Sequence, residues 1–136
     1  MSAAGRESGV TLLEMLVVIG LMTLITMIAA PNFEQALTRM QLRETAGALQ
    51  ANLRVVRGDA IRSDQPIKFS LSSDGRSYSW SEGETRKLPG QIVLKGHAIL
   101  FYGDGTTTGG TLLASSEGRE ISVVVDRATG AVATGP

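Results

Sequence analysis

The chain has 136 residues, with 13 basic and 13 acidic side chains and no cysteine. This length allows one domain with a modest core, and the balanced charge excludes a strong overall field toward nucleic acid or anionic surfaces. The lack of cysteine excludes disulfides and thiolate metal sites, and the 16 glycines, most of them in the second half, indicate a turn-rich β region there.

Residues 10–30 form an apolar segment, VTLLEMLVVIGLMTLITMIAA, with Glu14 as its one charge. As a helix rising ~1.5 Å per residue it would be about 31 Å long, enough to cross a bilayer core of ~30 Å. A lone carboxylate in lipid costs a few kcal/mol and needs a partner or a place near the interface. The segment is therefore expected to be a membrane helix in which Glu14 has a special role.

Three interpretations of this segment compete. A secretory signal peptide has a more basic start and a shorter apolar core, and a plain anchor explains the length but not Glu14. Cleavage just before Val10 would explain both, because the new amine would lie four residues from Glu14 on the same helical face. The two groups would then neutralise each other, within one chain or between neighbours.

The stretch SGVTLLEMLVVIGLMTLITMIAAPNF resembles the N-terminal signature of type IV prepilins and type II secretion pseudopilins. The resemblance implies that residues 1–9 are a leader, that a membrane peptidase cuts after Gly9, and that it methylates the amine of Val10. It also implies that Glu14, fifth in the mature chain, acts in filament assembly and that the helix kinks at Pro31. Phenylalanine or methionine is usual where this chain has Val10, which weakens methylation more than cleavage.

Helical periodicity continues through residues 31–62. Pro31 lacks an N–H and clashes with the carbonyl of Met27, so a kink or local melting is expected. Beyond it, apolar residues recur in steps of three and four, which predicts one stripe that packs on a sheet. The stripe consists of Leu42, Ala46, Leu49, Leu53, Val56 and Ala60.

Two further patterns mark other faces of this helix. An earlier apolar stripe, Phe33, Leu37 and Met40, needs a separate cover, either a neighbouring helix in a fibre or the membrane interface. Four arginines fall within about 60° at ~100° per residue. They are Arg39, Arg43, Arg54 and Arg57. This basic face either meets acidic groups of a neighbouring subunit or is an ordinary solvated surface.

Residues 63–136 read as a β-rich region. Pro66 stops the helix, and the pattern then alternates with period two around Asp-Gly and Thr-Gly turns. Residues 81–87 are polar and are interpreted as a loop. Strands are expected near residues 67–71, 78–80, 92–95, 98–102, 111–114, 121–126 and 131–134, paired antiparallel.

Residues 99–112 (ILFYGDGTTTGGTL) and 121–130 (ISVVVDRATG) resemble the C-terminal pattern of the H-type minor pseudopilins and their T- and U-type minor pilin relatives. The implied fold is α+β and pilin-like, a long helix packed on antiparallel sheets. The implied place is the bacterial inner membrane, single-pass, with the globular part in the periplasm. The implied partners are the major subunit, the minor tip subunits, the prepilin peptidase and the inner-membrane assembly platform.

Enzyme and ligand chemistry is weakly supported by the sequence. The glycine-rich residues 103–110 lack a Gly-Lys-Ser/Thr ending and a following helix, so they predict a turn rather than a phosphate loop. Asp104 alone does not supply the six to eight oxygens of a calcium site, and His97, expected in a turn, has no evident catalytic partners. We therefore expect no catalytic residue, no metal and no cofactor.

The leading function from the sequence is a minor pseudopilin that joins the tip complex to the main filament of a type II secretion pseudopilus. The alternative is a minor pilin of a type IV pilus, where some T-type relatives bind DNA. Nucleic acid is not expected as a partner here, because residues 131–136 contain no Lys or Arg. A membrane-tethered enzyme is the third class, and the sequence offers no convergent polar site for it.

Overall fold

The computed structural model describes residues 10–80 and 84–135, apart from the side chains at positions 31, 32 and 84. These residues belong to two compact units, one ending at Ala36 and the other beginning at Leu37. The first unit contains the apolar part of a helix. The second contains the amphipathic part of that helix and all the β-strands.

One helix, α1 (Leu12–Ser63), accounts for all the helical structure in the described residues. Its last turn is closed by the Ser63 hydroxyl, which donates to the Asp59 carbonyl at 2.8 Å. Asp64 follows with a φ of 52°, a left-handed conformation that ends the helix before Pro66. The predicted helix end is therefore confirmed. The helix is continuous through position 31, and the kink expected at Pro31 stays a prediction.

Within residues 10–80 and 84–135, eight strands form two antiparallel sheets of four. The first sheet has the order β3-β2-β1-β5 and the second the order β4-β6-β7-β8. The strands are β1 (Ile67–Leu71), β2 (Ser77–Trp80), β3 (Glu84–Lys87), β4 (Val93–Lys95), β5 (Ile99–Phe101), β6 (Gly110–Ser116), β7 (Arg119–Val125) and β8 (Val132–Gly135). The predicted α+β class, with a long helix and antiparallel sheets, is confirmed.

Strand β3 corrects the sequence interpretation, which assigned residues 81–87 to a polar loop. Residues 84–87 pair along β2, from Ser77 opposite Lys87 to Trp80 opposite Glu84. An edge strand with exposed side chains needs no apolar alternation, so its polar sequence gave no period-two signal. Residues 81–83 lie outside the described part of the chain.

The core of the second unit lies between the helix and the sheets. All six residues of the predicted stripe are at most 2% exposed, which confirms the stripe. Opposite it, Phe69, Tyr78 and Trp80 form a stacked cluster with ring centroids 5.2 to 6.3 Å apart. Asn52 donates to the Tyr78 hydroxyl at 2.7 Å, so the polar end of that ring is also satisfied. Fully burying each large apolar side chain contributes about 1.5–3 kcal/mol.

The two sheets are joined at the β1–β2 turn. The Gly75 carbonyl accepts a hydrogen bond from the Leu94 N–H at 2.8 Å, which links this turn to β4. Arg76 donates through Nη2 to the Gly90 carbonyl at 2.7 Å. The turn of the first sheet is thus hydrogen-bonded to the edge of the second, and both sheets bury residues in the same core as the helix.

Candidate assembly site

The helix begins with a capping interaction that involves Glu14. Thr11 precedes the first helical residue, and its hydroxyl accepts a hydrogen bond from the Glu14 N–H at 3.2 Å. The Thr11 carbonyl accepts from the Met15 N–H at 3.1 Å. These contacts make Thr11 the N-cap and Glu14 the third helical residue, the Ser/Thr-x-x-Glu spacing of a capping box. The sequence Thr-Leu-Leu-Glu at residues 11–14 has the spacing of a capping box, but this cap was not among the predictions made from the sequence.

This cap changes the expected geometry around Val10. Val10 and Glu14 are predicted to share a helical face in the cleaved chain, and that stays a prediction; in the full chain the helix starts at Leu12 and Val10 lies outside it. Thr11 is the reason, because an N-cap residue has non-helical dihedral angles. Glu14 also lies in the first turn, where the helix dipole favours a negative charge. Gly9 and the predicted leader lie outside the described residues, so cleavage and methylation stay predictions.

The apolar part of α1 presents its side chains outward. In the first unit, large apolar side chains from Leu12 to Ile28 are 43% to 84% exposed. The hydroxyls of Thr23 and Thr26 each donate to the carbonyl four residues earlier at 2.8 Å, so these polar groups are satisfied without water. The helix is long and apolar enough to cross a membrane. A surface of this kind is suited to lipid or to the apolar helices of a filament core.

The second apolar stripe is also uncovered. Phe33, Leu37 and Met40 are 67%, 44% and 60% exposed. They take no part in the core, which confirms that they lie on a face other than the buried stripe. The sequence predicts one of two covers for them, a neighbouring helix or the membrane interface, and the choice between the two stays a prediction.

The four helical arginines do not act as one surface. Arg57 is half-buried and donates through Nε to the Gly105 carbonyl at 3.2 Å. A Cβ built at Gly130 would lie 2.6 Å from Arg57 Nε, so the Thr-Gly turn also packs against this side chain. Arg57 therefore holds two glycine turns to the helix, and the prediction that it faces a neighbour or solvent is wrong.

Arg39 and Arg43 remain exposed and form a basic patch with the β6–β7 hairpin. They line one shallow recess together with Arg119 and Glu120. The hairpin is tied to the helix by the Thr38 hydroxyl, which donates to Glu117 Oε2 at 3.1 Å. The sequence carries no signal that joins residues 119–120 to the helical arginines, because their proximity depends on tertiary packing.

The glycine-rich segment after β5 is a turn, as predicted. Asp104 Oδ1 accepts hydrogen bonds from the N–H and the hydroxyl of Thr106, at 2.9 and 2.6 Å. Asp74 and Asp126 have the same role in the β1–β2 and β7–β8 turns. These hydrogen bonds hold the pKa of all three carboxyl groups below the usual value, first through Ser72, Thr106 and Thr129 respectively. Their carboxylates stabilise turns.

The described residues contain no group of three or more His, Cys, Asp or Glu side chains that could hold a metal ion. His97 is exposed in the bend after Gly96, where the sequence placed it. The expectations of no cofactor and no metal stay predictions.

Comparison with known proteins gives the family. Residues 45–129 match the family model described as type II transport protein GspH. A type II secretion system protein H from Xanthomonas campestris is 31% identical over 140 residues, which cover 94% of this chain and 83% of that protein. The chain belongs to the GspH family. The resemblance drawn from residues 99–112 and 121–130 is thus confirmed, and so is the minor pseudopilin class.

Solved structures support the fold. The minor pseudopilin EpsH of Vibrio cholerae aligns with a TM-score of 0.59 and 14% identity, over 69% of this chain and 95% of that one. The type IV minor pilin FimU of Pseudomonas aeruginosa aligns with a TM-score of 0.62 and 18% identity, over 72% and 90%. At this identity the likeness concerns fold alone. The GspH family and the apolar helix together make this chain a membrane-anchored protein and a structural subunit.

Proposed function

We propose that this GspH-family chain joins the tip complex to the main filament of a type II secretion pseudopilus and so helps to export proteins across the outer membrane. The observation that supports this most is a long apolar helix with exposed side chains and one carboxylate, Glu14, in its first turn. Such a helix can move from lipid into a bundle of like helices without exposing new apolar surface to water.

The proposed assembly step concerns the charge of Glu14. A prepilin peptidase removes residues 1–9, and the new amine of one subunit pairs with Glu14 of its neighbour. Pairing offsets the several kcal/mol that each isolated charge costs in an apolar surrounding. Because a residue before the helix is free to turn toward a neighbour, the position of Val10 outside α1 suits pairing between subunits.

The proposed partners are the major pseudopilin, the minor tip subunits, the prepilin peptidase and the inner-membrane assembly platform. The globular unit is placed in the periplasm, where the exposed Phe33, Leu37 and Met40 would meet the helix of an adjacent subunit. No nucleic acid and no catalysis are part of this proposal.

The test compares three variants of Glu14 in the full chain, co-expressed with the other subunits of its secretion system. Glu14→Gln keeps a capping-box side chain but removes the charge, Glu14→Asp keeps the charge, and Glu14→Ala removes both. We expect Gln and Ala to reduce incorporation into sheared pseudopili at least tenfold and Asp to reduce it less, at equal membrane levels. Equal incorporation of Gln and wild type would contradict the charge-pairing step.

A type IV pilus minor pilin is the second candidate, favoured only by the FimU fold match. A complementation experiment distinguishes the two candidate functions. The chain should restore protein export to a strain lacking its own H-type pseudopilin and should not restore pili to a strain lacking its U-type minor pilin. Restored piliation without export would favour the alternative.

A further inference from the structure

The two sheets in residues 10–80 and 84–135 have four edge strands, β3, β5, β4 and β8. Of these four, only β3 has an open side to which no other part of the described chain makes a hydrogen bond. On the open side of β5, Thr108 forms hydrogen bonds with Leu100. Gly75 accepts one from β4, and the side chain of Gln50 donates one to β8. An uncovered edge is a template for pairing with another extended segment.

The register shows which backbone groups of β3 are open. The Leu88 N–H donates to the Arg76 carbonyl, so residues 76 and 88 form a hydrogen-bonded pair. Such pairs alternate along an antiparallel ladder, which makes Tyr78 and Arg86 the next one. The N–H and C=O groups of Thr85 and Lys87 therefore point away from β2, toward the open edge.

A groove runs beside this edge, between β3 and the helix. Its lining includes Glu44, Thr45, Arg86 and Lys87. Thr45 is 6% exposed, and its hydroxyl has no hydrogen-bond partner among the described residues. An unsatisfied buried hydroxyl costs about 1–3 kcal/mol, which a polar group seated in the groove could recover.

Charges of both signs lie beside the edge. Glu44 lines the groove on the helix side and Glu84 begins the strand, whereas Arg86 and Lys87 make the other end of β3 positive. Arg86 and Lys87 are exposed, and Arg86 lies 6.0 Å from the Trp80 ring centroid. Lysine on an open edge opposes indiscriminate strand pairing, and it favours a segment that places a carboxylate opposite it.

We propose that β3 accepts an extended segment of a neighbouring pseudopilin, with a carboxylate opposite Lys87, as a fifth strand of the first sheet. Thr85 and Lys87 supply the backbone hydrogen bonds, and Lys87 pairs with a carboxylate of the incoming segment. This inference deepens the proposed function and rests on it, because the partner is another subunit of the same filament.

The first experiment removes one outward N–H. Thr85→Pro deletes a donor that takes no part in the β2–β3 ladder, and proline is tolerated on edge strands. Thr85→Val is the matched control, since it keeps the N–H. Tagged full-length chains are co-expressed with the other pseudopilins of the system, solubilised in mild detergent and purified, and each co-purifying pseudopilin is quantified. We expect at least a tenfold loss for Thr85→Pro and less than a twofold change for Thr85→Val.

Two measurements keep the proposal testable if Thr85→Pro fails to fold. Amide hydrogen exchange of the wild-type complex should show Thr85 and Lys87 protected at least tenfold over the free chain, while Arg86 is slow in both. Lys87→Glu, which changes only an exposed side chain, should lower co-purification at low salt and have a smaller effect at high salt.

The outcomes separate this proposal from the proposed function. If wild type and Thr85→Val co-purify with pseudopilins and Thr85→Pro does so equally, with unchanged exchange at Thr85, the strand proposal is overturned and the filament role stands. If Lys87→Glu binds as well as wild type, a carboxylate of the partner opposite Lys87 is excluded. If wild type co-purifies with no pseudopilin, the filament role itself fails.

Discussion

Two buried threonines differ in what their hydroxyls contact, and this difference should be measurable. The Thr45 hydroxyl has no partner within the described part of the chain, whereas the Thr107 hydroxyl accepts a hydrogen bond from the Gly109 N–H at 3.0 Å, and both residues are at least 94% buried. Thr45→Val should stabilise the chain by up to about 1 kcal/mol, and Thr107→Val should destabilise it by about 1 kcal/mol.

Thermal unfolding of the two variants in detergent tests this contrast. The melting temperature should rise by a few degrees for Thr45→Val and fall by a similar amount for Thr107→Val. A fall for both would mean that the Thr45 hydroxyl has a partner in the free chain.

Asp126 gives the globular unit a pH dependence of known sign. Its carboxylate accepts from the N–H groups of Ala128 and Thr129 and from the Thr129 hydroxyl, which lowers its pKa from the usual value. A lowered folded-state pKa means that its stabilisation is fully present above the unfolded pKa of about 3.9 and is lost as the pH falls through the folded value.

Asp126→Asn should therefore have a lower melting temperature than wild type at pH 7, with the difference shrinking as the pH falls below about 4. In Asp126→Asn the melting temperature should still decrease in acid, although by less than in wild type, because hydrogen bonds in similar turns also lower the pKa values of Asp74 and Asp104. Melting curves from pH 2 to 7 measure this, and a difference that is the same at every pH would contradict the assignment.

At the scale of elements, the β1–β2 turn is constrained both by its backbone conformation and by its contact with β4. Gly75 has a φ of 67°, and a Cβ there would lie 2.5 Å from the Leu94 carbonyl oxygen and 2.8 Å from Val93 Cγ1. Gly118 has a similar φ of 77° with nothing within 4 Å of a Cβ. A comparison of substitutions at Gly75 and Gly118 therefore separates the cost of a positive φ from the cost of a steric clash.

Gly118→Ala should cost about 1–2 kcal/mol, the penalty for a left-handed residue with a side chain. Gly75→Ala should cost more, by about 1–3 kcal/mol, because the two sheets must also move apart or distort. Denaturant unfolding of both variants measures the difference, and equal losses would show that the contact between the turn and β4 is not constraining.

The buried stripe from Leu42 to Ala60 and most strands could be predicted from the sequence, because burial imposes a period of three to four or of two along the chain. Strand β3 could not, since an edge strand with polar residues has no such period. The position of Arg57 was missed for a different reason. Helical spacing gives its face but not the glycine turns that reach it from residues 105 and 130. The Thr11 cap could have been predicted from the Thr-x-x-Glu spacing but was missed.

At the scale of the whole molecule, two surfaces have no partner in the core. The first is apolar: large side chains from Leu12 to Ile28 are exposed in the first unit, and so are Leu37 and Met40 in the second. The second is formed by the exposed Arg39 and Arg43 beside the β6–β7 hairpin. Exposed apolar side chains in such number are expected of a surface that a filament covers.

The proposed function depends on one processing step, cleavage after Gly9, which would give Val10 a free amine. In the proposal, that amine is the counterpart of the Glu14 carboxylate, which lies in the first helical turn and would otherwise be an isolated charge among apolar helices.

Intact mass of the full chain, purified from membranes with and without a co-expressed prepilin peptidase, tests this most directly. We predict that the peptidase removes residues 1–9, leaving a chain that begins at Val10, with or without one added methyl group. A chain that keeps Met1 beside an active peptidase would contradict the account, and the apolar helix would then be an ordinary anchor.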